Sequence, residues 1–194
     1  CNSPMNIAKE LTSVQDIIIT TNDEMTLKKL KKNKFIKILK RPNKLSRNAT
    51  NLIEAVIHSI KFYEKKFKEI KTILLLQPTS PIRSLKLINL GYKKYINFNK
   101  KKSIVSVSEG SNPDKRLFAI KRKRLKLYQG KEVIDNLFQI NGNFYFASAN
   151  FIKKNKSFFK DGNTYPIILK SRKLAMDIDT IKDFRRVEQY LKSL

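Results

Sequence analysis

Hydrophobic positions along the chain follow two rhythms that trade places. Asp16-Ile17-Ile18-Ile19-Thr20, Phe35 to Leu39 and Thr72 to Leu76 are short, nearly continuous apolar runs, the pattern of strands buried on both faces. Between them the spacing becomes helical. Thr21-Asn22-Asp23 is a turn able to cap a helix from Glu24 to Lys32, and Arg41-Pro42 opens a loop that reaches Asn48. From Ala49 to about Lys68, Leu52, Ile53, Val56, Ile57, Ile60 and Tyr63 form one apolar stripe. A helix from about Leu85 to Asn97 and a strand from Ser103 to Ser108 continue the alternation. Such alternation predicts an α/β fold, a layered sheet with right-handed crossovers.

The rhythm changes after Glu109. From Asn112 to Phe146 the pattern is strand-rich, with turns expected at Tyr128-Gln129-Gly130 and Asn141-Gly142. Phe151 to Phe159 predicts a short helix, Ile167-Leu169 a strand, and Thr180 to Leu194 a closing amphipathic helix. No repeat or low-complexity linker divides the chain, and 194 residues suffice for one domain with a sizeable core.

Composition adds little to fold and more to partners. A hydrophobic content of 41% with twelve Phe and seven Tyr describes a folded globule. No apolar stretch approaches the length that crosses a bilayer. One cysteine, Cys1, excludes an internal disulfide framework and fits a reducing, cytoplasmic compartment. The formal charge of +26 invites a nucleic-acid reading, but the lysines are scattered amid Asn and Ile. The densest cluster, Lys121 to Tyr128, partly alternates and reads as a solvated strand. Charge of this kind also favours an anionic small substrate.

The segment richest in chemistry is Leu74-Leu75-Leu76-Gln77-Pro78-Thr79-Ser80-Pro81-Ile82-Arg83. Open α/β sheets bind ligands at the carboxyl ends of their strands, and this polar loop sits at one. A Pro-rich turn with Ser80 or Ser84 capping the next helix explains the prolines and serines, but not the flanking Gln77 and Arg83.

This segment, together with Met176-Asp177-Ile178-Asp179-Thr180, resembles the acylneuraminate cytidylyltransferases, which carry Leu-Leu-Gln-Pro-Thr-Ser-Pro-Leu-Arg and a late Asp-Ile-Asp-Thr. The resemblance runs from Asn6 to Leu194. It implies a three-layer, Rossmann-like nucleotide-diphospho-sugar transferase fold in a single domain, with an inserted dimerisation arm over about residues 112–146 and a homodimer. It also implies transfer of CMP from CTP to the anomeric hydroxyl of a sialic-acid-like nonulosonic acid, with release of pyrophosphate, for a surface glycan of the lipopolysaccharide or capsule type. Family members open with a strand and a phosphate-binding loop containing Ala-Arg-x-x-Ser-Lys-Gly. About 25 residues of that kind are expected to be missing ahead of Cys1, leaving the chain amino-terminally incomplete.

Phosphoryl-type transfer needs a metal, cations for phosphates and a clamp for the sugar carboxylate. Asp177 and Asp179, at i and i+2, offer hard oxygen ligands for Mg²⁺, the role the resemblance gives them as catalytic and metal residues. The competing reading has Asp179 merely capping the last helix. Lys115 and Lys131 match cations for the sugar carboxylate; Lys131 stands where Arg is usual, so a fork has become a point charge. Gln77, Asn141 and Tyr145 match sugar-lining residues, and Phe158-Phe159 an aromatic pair against the N-acyl group. A hairpin turn at Asn141 and core packing of the aromatic residues are the competing readings. Arg41 and Asn22 match the nucleotide side. Asn22 and Asn48 stand where the family has acids, and Gln139 where it commonly has Arg. His58, the lone histidine, reads as a packing residue on the long helix, with a general base as the competing reading. Three other functions stay in view: an enzyme handling 3-deoxy-manno-octulosonate or another sugar, an inactive remnant that still dimerises, and a basic nucleic-acid-binding protein.

Overall fold

The computed structural model describes residues 4–30, 36–46, 52–110, 116–130 and 133–193. Eight strands and six α-helices lie in these segments, in the order α1 (Pro4–Glu10), β1 (Ile17–Thr21), α2 (Glu24–Leu30), β2 (Ile36–Lys40), α3 (Leu52–Lys66), β3 (Ile73–Leu75), α4 (Leu85–Asn97), β4 (Ser103–Glu109), β5 (Phe118–Lys121), β6 (Arg124–Leu127), β7 (Phe138–Ala147), α5 (Ala149–Asn155), β8 (Thr164–Ile168) and α6 (Ile181–Lys192). The expected alternation is therefore present.

The main sheet has six strands and is built on β7. One edge of β7 pairs antiparallel with β4; the other takes β3 near its carboxyl end and β5 at Phe138. Strand β8 extends the sheet in parallel with β4. Because β3 and β4 both oppose β7, they run parallel, and the carboxyl ends of β3, β4 and β8 share one edge. That edge is where ligands bind in such sheets.

Two apolar layers cover the sheet. On one face, Ile53, Val56 and Ile60 of α3 pack with Val105, Val107, Tyr145, Phe151 and Phe158. On the other, Ile88 and Tyr95 of α4 and Ile7 of α1 pack with Ile104, Phe144 and Phe146. Gly91 lets α4 approach closely, since a Cβ there would lie 2.9 Å from the Phe144 ring.

Several expectations need correction. Strands β1 and β2 pair in parallel as a separate two-stranded sheet. Residues Ile17 to Thr21 and Ile73 to Leu75 are half-buried, not fully enclosed. Among the described residues β1 pairs with β2 alone and β3 with β7 alone, so each apolar strand keeps one unpaired edge. The cluster from Lys121 to Tyr128 is not one strand: Arg122 and Lys123, at φ +50° and +62°, turn the β5–β6 hairpin. Asn141-Gly142 is not a hairpin turn either. It lies within β7, opposite an irregularity in β4 between Val105 and Val107, where the register shifts. The strand-rich stretch over about 112–146 thus divides into a hairpin at the sheet edge and a central strand.

Candidate active site

Three of the expected sugar-site residues meet around Gly142. Gln77 leaves the end of β3 and lays its amide across the backbone of β7. A Cβ on Gly142 would fall 2.1 Å from Gln77 Oε1 and 3.2 Å from Ser80 Oγ, and the residue sits at φ +78°. Only glycine fits both demands. The Tyr145 hydroxyl, three residues further along β7, faces the same Oε1 at 3.5 Å. Burial, then the nearby charge of Asp177, pushes the Tyr145 phenol well above its ordinary value, so it stays a protonated donor at neutral pH.

The loop after Gln77 is stitched to the rest of the site. Ser80, 1% exposed, shares its hydroxyl proton between the Asn141 carbonyl at 3.1 Å and Asp177 Oδ1 at 3.2 Å. The Ile178 amide donates to the Thr79 carbonyl at 2.8 Å. Asn143 Nδ2 donates to the carbonyls of Ile82 at 2.8 Å and Leu174 at 2.9 Å, which ties the loop, β7 and the Asp177 segment together. Ser84, not Ser80, caps α4, accepting from Leu87 N.

Arg83 closes the loop. It is 3% exposed, donates through Nε to the Asn143 carbonyl at 3.0 Å and through Nη2 to the Gln77 carbonyl. Burial pulls its pKa down to about 10 while Asp177 opposes the shift, so the guanidinium is charged at neutral pH. A buried charge at this position fixes the backbone on both sides of the site.

Asp177 is half-buried and Asp179 exposed, on a segment without helix or strand. Thr180 caps α6 in a reciprocal capping box with Asp183, so the capping role once open to Asp179 is filled by its neighbour. Among the described residues no group of three His, Cys, Asp or Glu side chains gathers as a metal cage. Asp177 and Asp179 still fit Mg²⁺, which binds through one or two carboxylates and keeps water and substrate oxygens.

Phe158 is buried and packs on Tyr145, ring centroids 5.1 Å apart; Phe159 meets Phe118 edge-on at 4.9 Å. Both are core contacts first, with Phe158 joined to the site through Tyr145. Arg41 and Asn22 follow β2 and β1 in the smaller sheet. Arg41 Nη2 donates to the Thr20 carbonyl at 2.7 Å, and Asn22 is exposed. Lys115, Lys131 and Asn48 lie outside the described residues.

Two features were not anticipated. Among the described residues, Thr20 Oγ1, Arg41 Nε, Arg83 Nη1 and Asn141 Nδ2 are buried without a hydrogen-bond partner, as are His58 Nδ1 and Tyr95 Oη on the helices. Unpaired buried polar atoms are costly, and a bound ligand relieves that cost. Beside Asn141 and Asp177 opens a cavity of about 920 Å³, lined also by Glu109, Lys170, Arg172 and Arg186. These cations come from the end of β8 and from α6, which no local pattern had joined.

No protein-family model matches the chain. It is 30% identical over 159 residues to the CMP-N,N'-diacetyllegionaminic acid synthase of Legionella pneumophila subsp. pneumophila, covering 78% of this chain and 67% of that protein. In fold it is similar to a CMP:2-keto-3-deoxy-manno-octonic acid synthetase solved with CTP, with a TM-score of 0.70 at 9% identity over 97% of this chain and 85% of the other. It is also similar to a 4-diphosphocytidyl-2C-methyl-D-erythritol synthase from Anaerococcus prevotii, with a TM-score of 0.60 at 15% identity over 97% and 83% of the two chains. The sheet is therefore that of the nucleotide-diphospho-sugar transferases, and its ligand edge carries the Gln77-to-Arg83 loop and the Asp177 segment. Together with the relative from Legionella, this establishes that the chain belongs to the acylneuraminate cytidylyltransferase family.

Proposed function

We propose that this protein transfers CMP from CTP to the anomeric hydroxyl of a nonulosonic acid. The anomeric hydroxyl gives up its proton to the medium as its oxygen bonds to the α-phosphorus, the bond to the β-phosphate bridge breaks, and pyrophosphate leaves with its electrons. The observation that carries this reading is the Ser80 link, which holds sugar-type residues Gln77, Asn141 and Tyr145 beside the carboxylate of Asp177. Such a site recognises a polyhydroxylated sugar and presents an acid for a phosphate-bound cation.

Asp177 and Asp179 are the residues that would hold Mg²⁺. When bound, the metal offsets charge on the phosphates. Ser80 keeps one Asp177 oxygen oriented, and Arg83 balances the carboxylate from the protein side. Gln77 and Tyr145 bind the sugar hydroxyls. Arg41 and Asn22 serve the nucleotide, with Lys115 and Lys131 for the sugar carboxylate. Phe158, with Phe159 behind it, forms an apolar backing for an N-acyl group.

The β5–β6 hairpin is the element we assign to a homodimer contact, supported by Leu127 at 40% and Val133 at 101% exposure on and beside it. No helix among the described residues is long and apolar enough to cross a membrane, and a cytoplasmic supply of CTP suits the reaction. The test is a substrate panel. With CTP and Mg²⁺, pyrophosphate release is expected for a diacyl nonulosonic acid and not for 3-deoxy-manno-octulosonate; release only with the latter overturns the choice of sugar.

A further inference from the structure

Ser106 is fully buried in β4, at the point where its register with β7 shifts between Val105 and Val107. The irregularity costs the ladder its usual backbone pairing there. The Ser106 side chain fills the gap: its Oγ accepts from the Phe144 amide at 3.0 Å. The same hydroxyl lies 2.7 Å from Asn141 Oδ1 and 3.1 Å from the Phe144 carbonyl. Asn141 Oδ1 also receives the Asn143 amide at 3.2 Å. A backbone N–H can only donate, so the oxygen of the Asn141 amide must face it, which settles the orientation of that side chain. Its Nδ2 is thereby turned away from β4 and has no partner within the described protein.

From this geometry we infer that Ser106 is a positioning residue of the sugar site: together with the Asn143 amide, which fixes which end of the Asn141 side chain faces β4, its hydroxyl clamps Oδ1 and so presents Nδ2 as a donor. The ligand group facing Asn141 is then an acceptor oxygen, of the kind a carboxylate or acyl carbonyl supplies. This inference rests on the proposed cytidylyltransferase function. It adds a residue that makes no substrate contact, on a strand whose own pattern signals only burial. Its chemistry is orientation alone. No bond to Ser106 forms or breaks.

The test compares wild type, Ser106→Ala, Asn141→Asp and the double variant in steady-state cytidylyl transfer, with a melting temperature for each. Ser106→Ala removes the 2.7 Å bond to Asn141 Oδ1 and leaves the Asn143 amide as its remaining hold, which loosens the side chain, and Asn141→Asp removes the donor outright. We expect each single variant to raise the KM for the sugar about tenfold or more, the scale of one lost hydrogen bond to a charged or carbonyl acceptor, with the KM for CTP within about twofold. The double variant is expected to match Asn141→Asp, because both changes act through one donor. A role confined to folding predicts a lowered melting temperature, parallel changes in both KM values and additive effects in the double variant, and that result overturns the inference. Substrate analogues lacking the N-acyl group or the carboxylate identify which oxygen is read: the analogue lacking it is bound equally by wild type and Ser106→Ala. If neither analogue closes the difference, the donor assignment fails. Absence of cytidylyl transfer by wild type refutes the functional reading itself, and this inference with it; transfer by wild type with an unchanged Ser106→Ala refutes this inference alone.

Discussion

Gln77 lies directly over Gly142, so closely that a methyl group on the glycine would fall 2.1 Å from the Gln77 amide oxygen. The two residues are 65 positions apart in sequence, at the end of β3 and in the middle of β7. Their contact joins the two most distinctive stretches of the chain. Gly142→Ala is expected to cost about 1–2 kcal/mol from the left-handed backbone alone. Displacement of Gln77 adds a rise in the KM for the sugar larger than that for CTP. Chemical denaturation and steady-state kinetics on the one variant check both. An unchanged sugar KM would detach Gln77 from the sugar.

Arg83 is the buried charge on which the loop closes. Arg83→Met leaves the carbonyls of Gln77 and Asn143 without their donors. A destabilisation of about 2–4 kcal/mol is expected, since breaking a buried charge-assisted pair strands its partners. Arg83→Lys should recover little, because a point charge cannot reach two carbonyls in a fork. Urea midpoints for the two variants decide this. Full recovery by Lys would mean that the charge alone matters.

The acidic pair separates chemistry from folding. Asp179 is exposed, and Asp177→Asn keeps an oxygen to accept from Ser80. Asp179→Asn should therefore stay within about 0.5 kcal/mol of wild type in stability, the scale of surface changes, whereas Asp177→Asn should fold with a larger loss because it removes the charge facing buried Arg83. Both should lose turnover and the Mg²⁺ dependence of CTP binding, read by calorimetry. Retained turnover in the double variant removes the metal assignment.

Acid sensitivity has a nameable contributor in Asp16. Its carboxyl is held below the ordinary 3.8, first by the hydrogen bond from Lys37, then by that from Tyr63. Burial, then the bond to Asp16, pushes the Tyr63 phenol up to about 12. A carboxylate depressed in the folded state stabilises above its unfolded pKa, and that contribution is lost as pH falls through the folded value. Asp16→Asn should melt lower than wild type at about pH 7, and the gap should close as pH falls below 3.8 toward the folded value. A gap that persists unchanged into acid would mean that Asp16 acts by shape and not by charge.

The alternation of elements was legible from stripes such as that of α3: of the expected positions Ile53, Val56, Ile60 and Tyr63 are buried and Ile57 half-buried, while Leu52, at the start of the helix, is exposed and Ala55 is buried in its stead. The Gln77-to-Arg83 loop was legible because its polar residues interrupt an apolar run. Asn141-Gly142 misled, since Asn-Gly is the strongest local signal for a hairpin. Here the glycine serves a kink in a continuous strand under Gln77, a demand that arises only in three dimensions. Ser106 gave no signal at all. Its neighbours in sequence are Val105 and Val107, and its partners, Asn141 and Phe144, are 35 and 38 residues away. The basic cluster at Lys121 misled for the opposite reason: Arg122 and Lys123 make a tight turn with neither glycine nor asparagine to announce it.

The most direct test of the central claim is product formation by the purified protein with CTP, Mg²⁺ and a diacyl nonulosonic acid, following the CMP-sugar by mass and pyrophosphate by release. The account predicts one CMP-sugar per pyrophosphate, lost on removing the metal and in Asp177→Asn. Pyrophosphate release without a CMP-sugar, or a CMP-sugar formed equally well by Asp177→Asn, would contradict it.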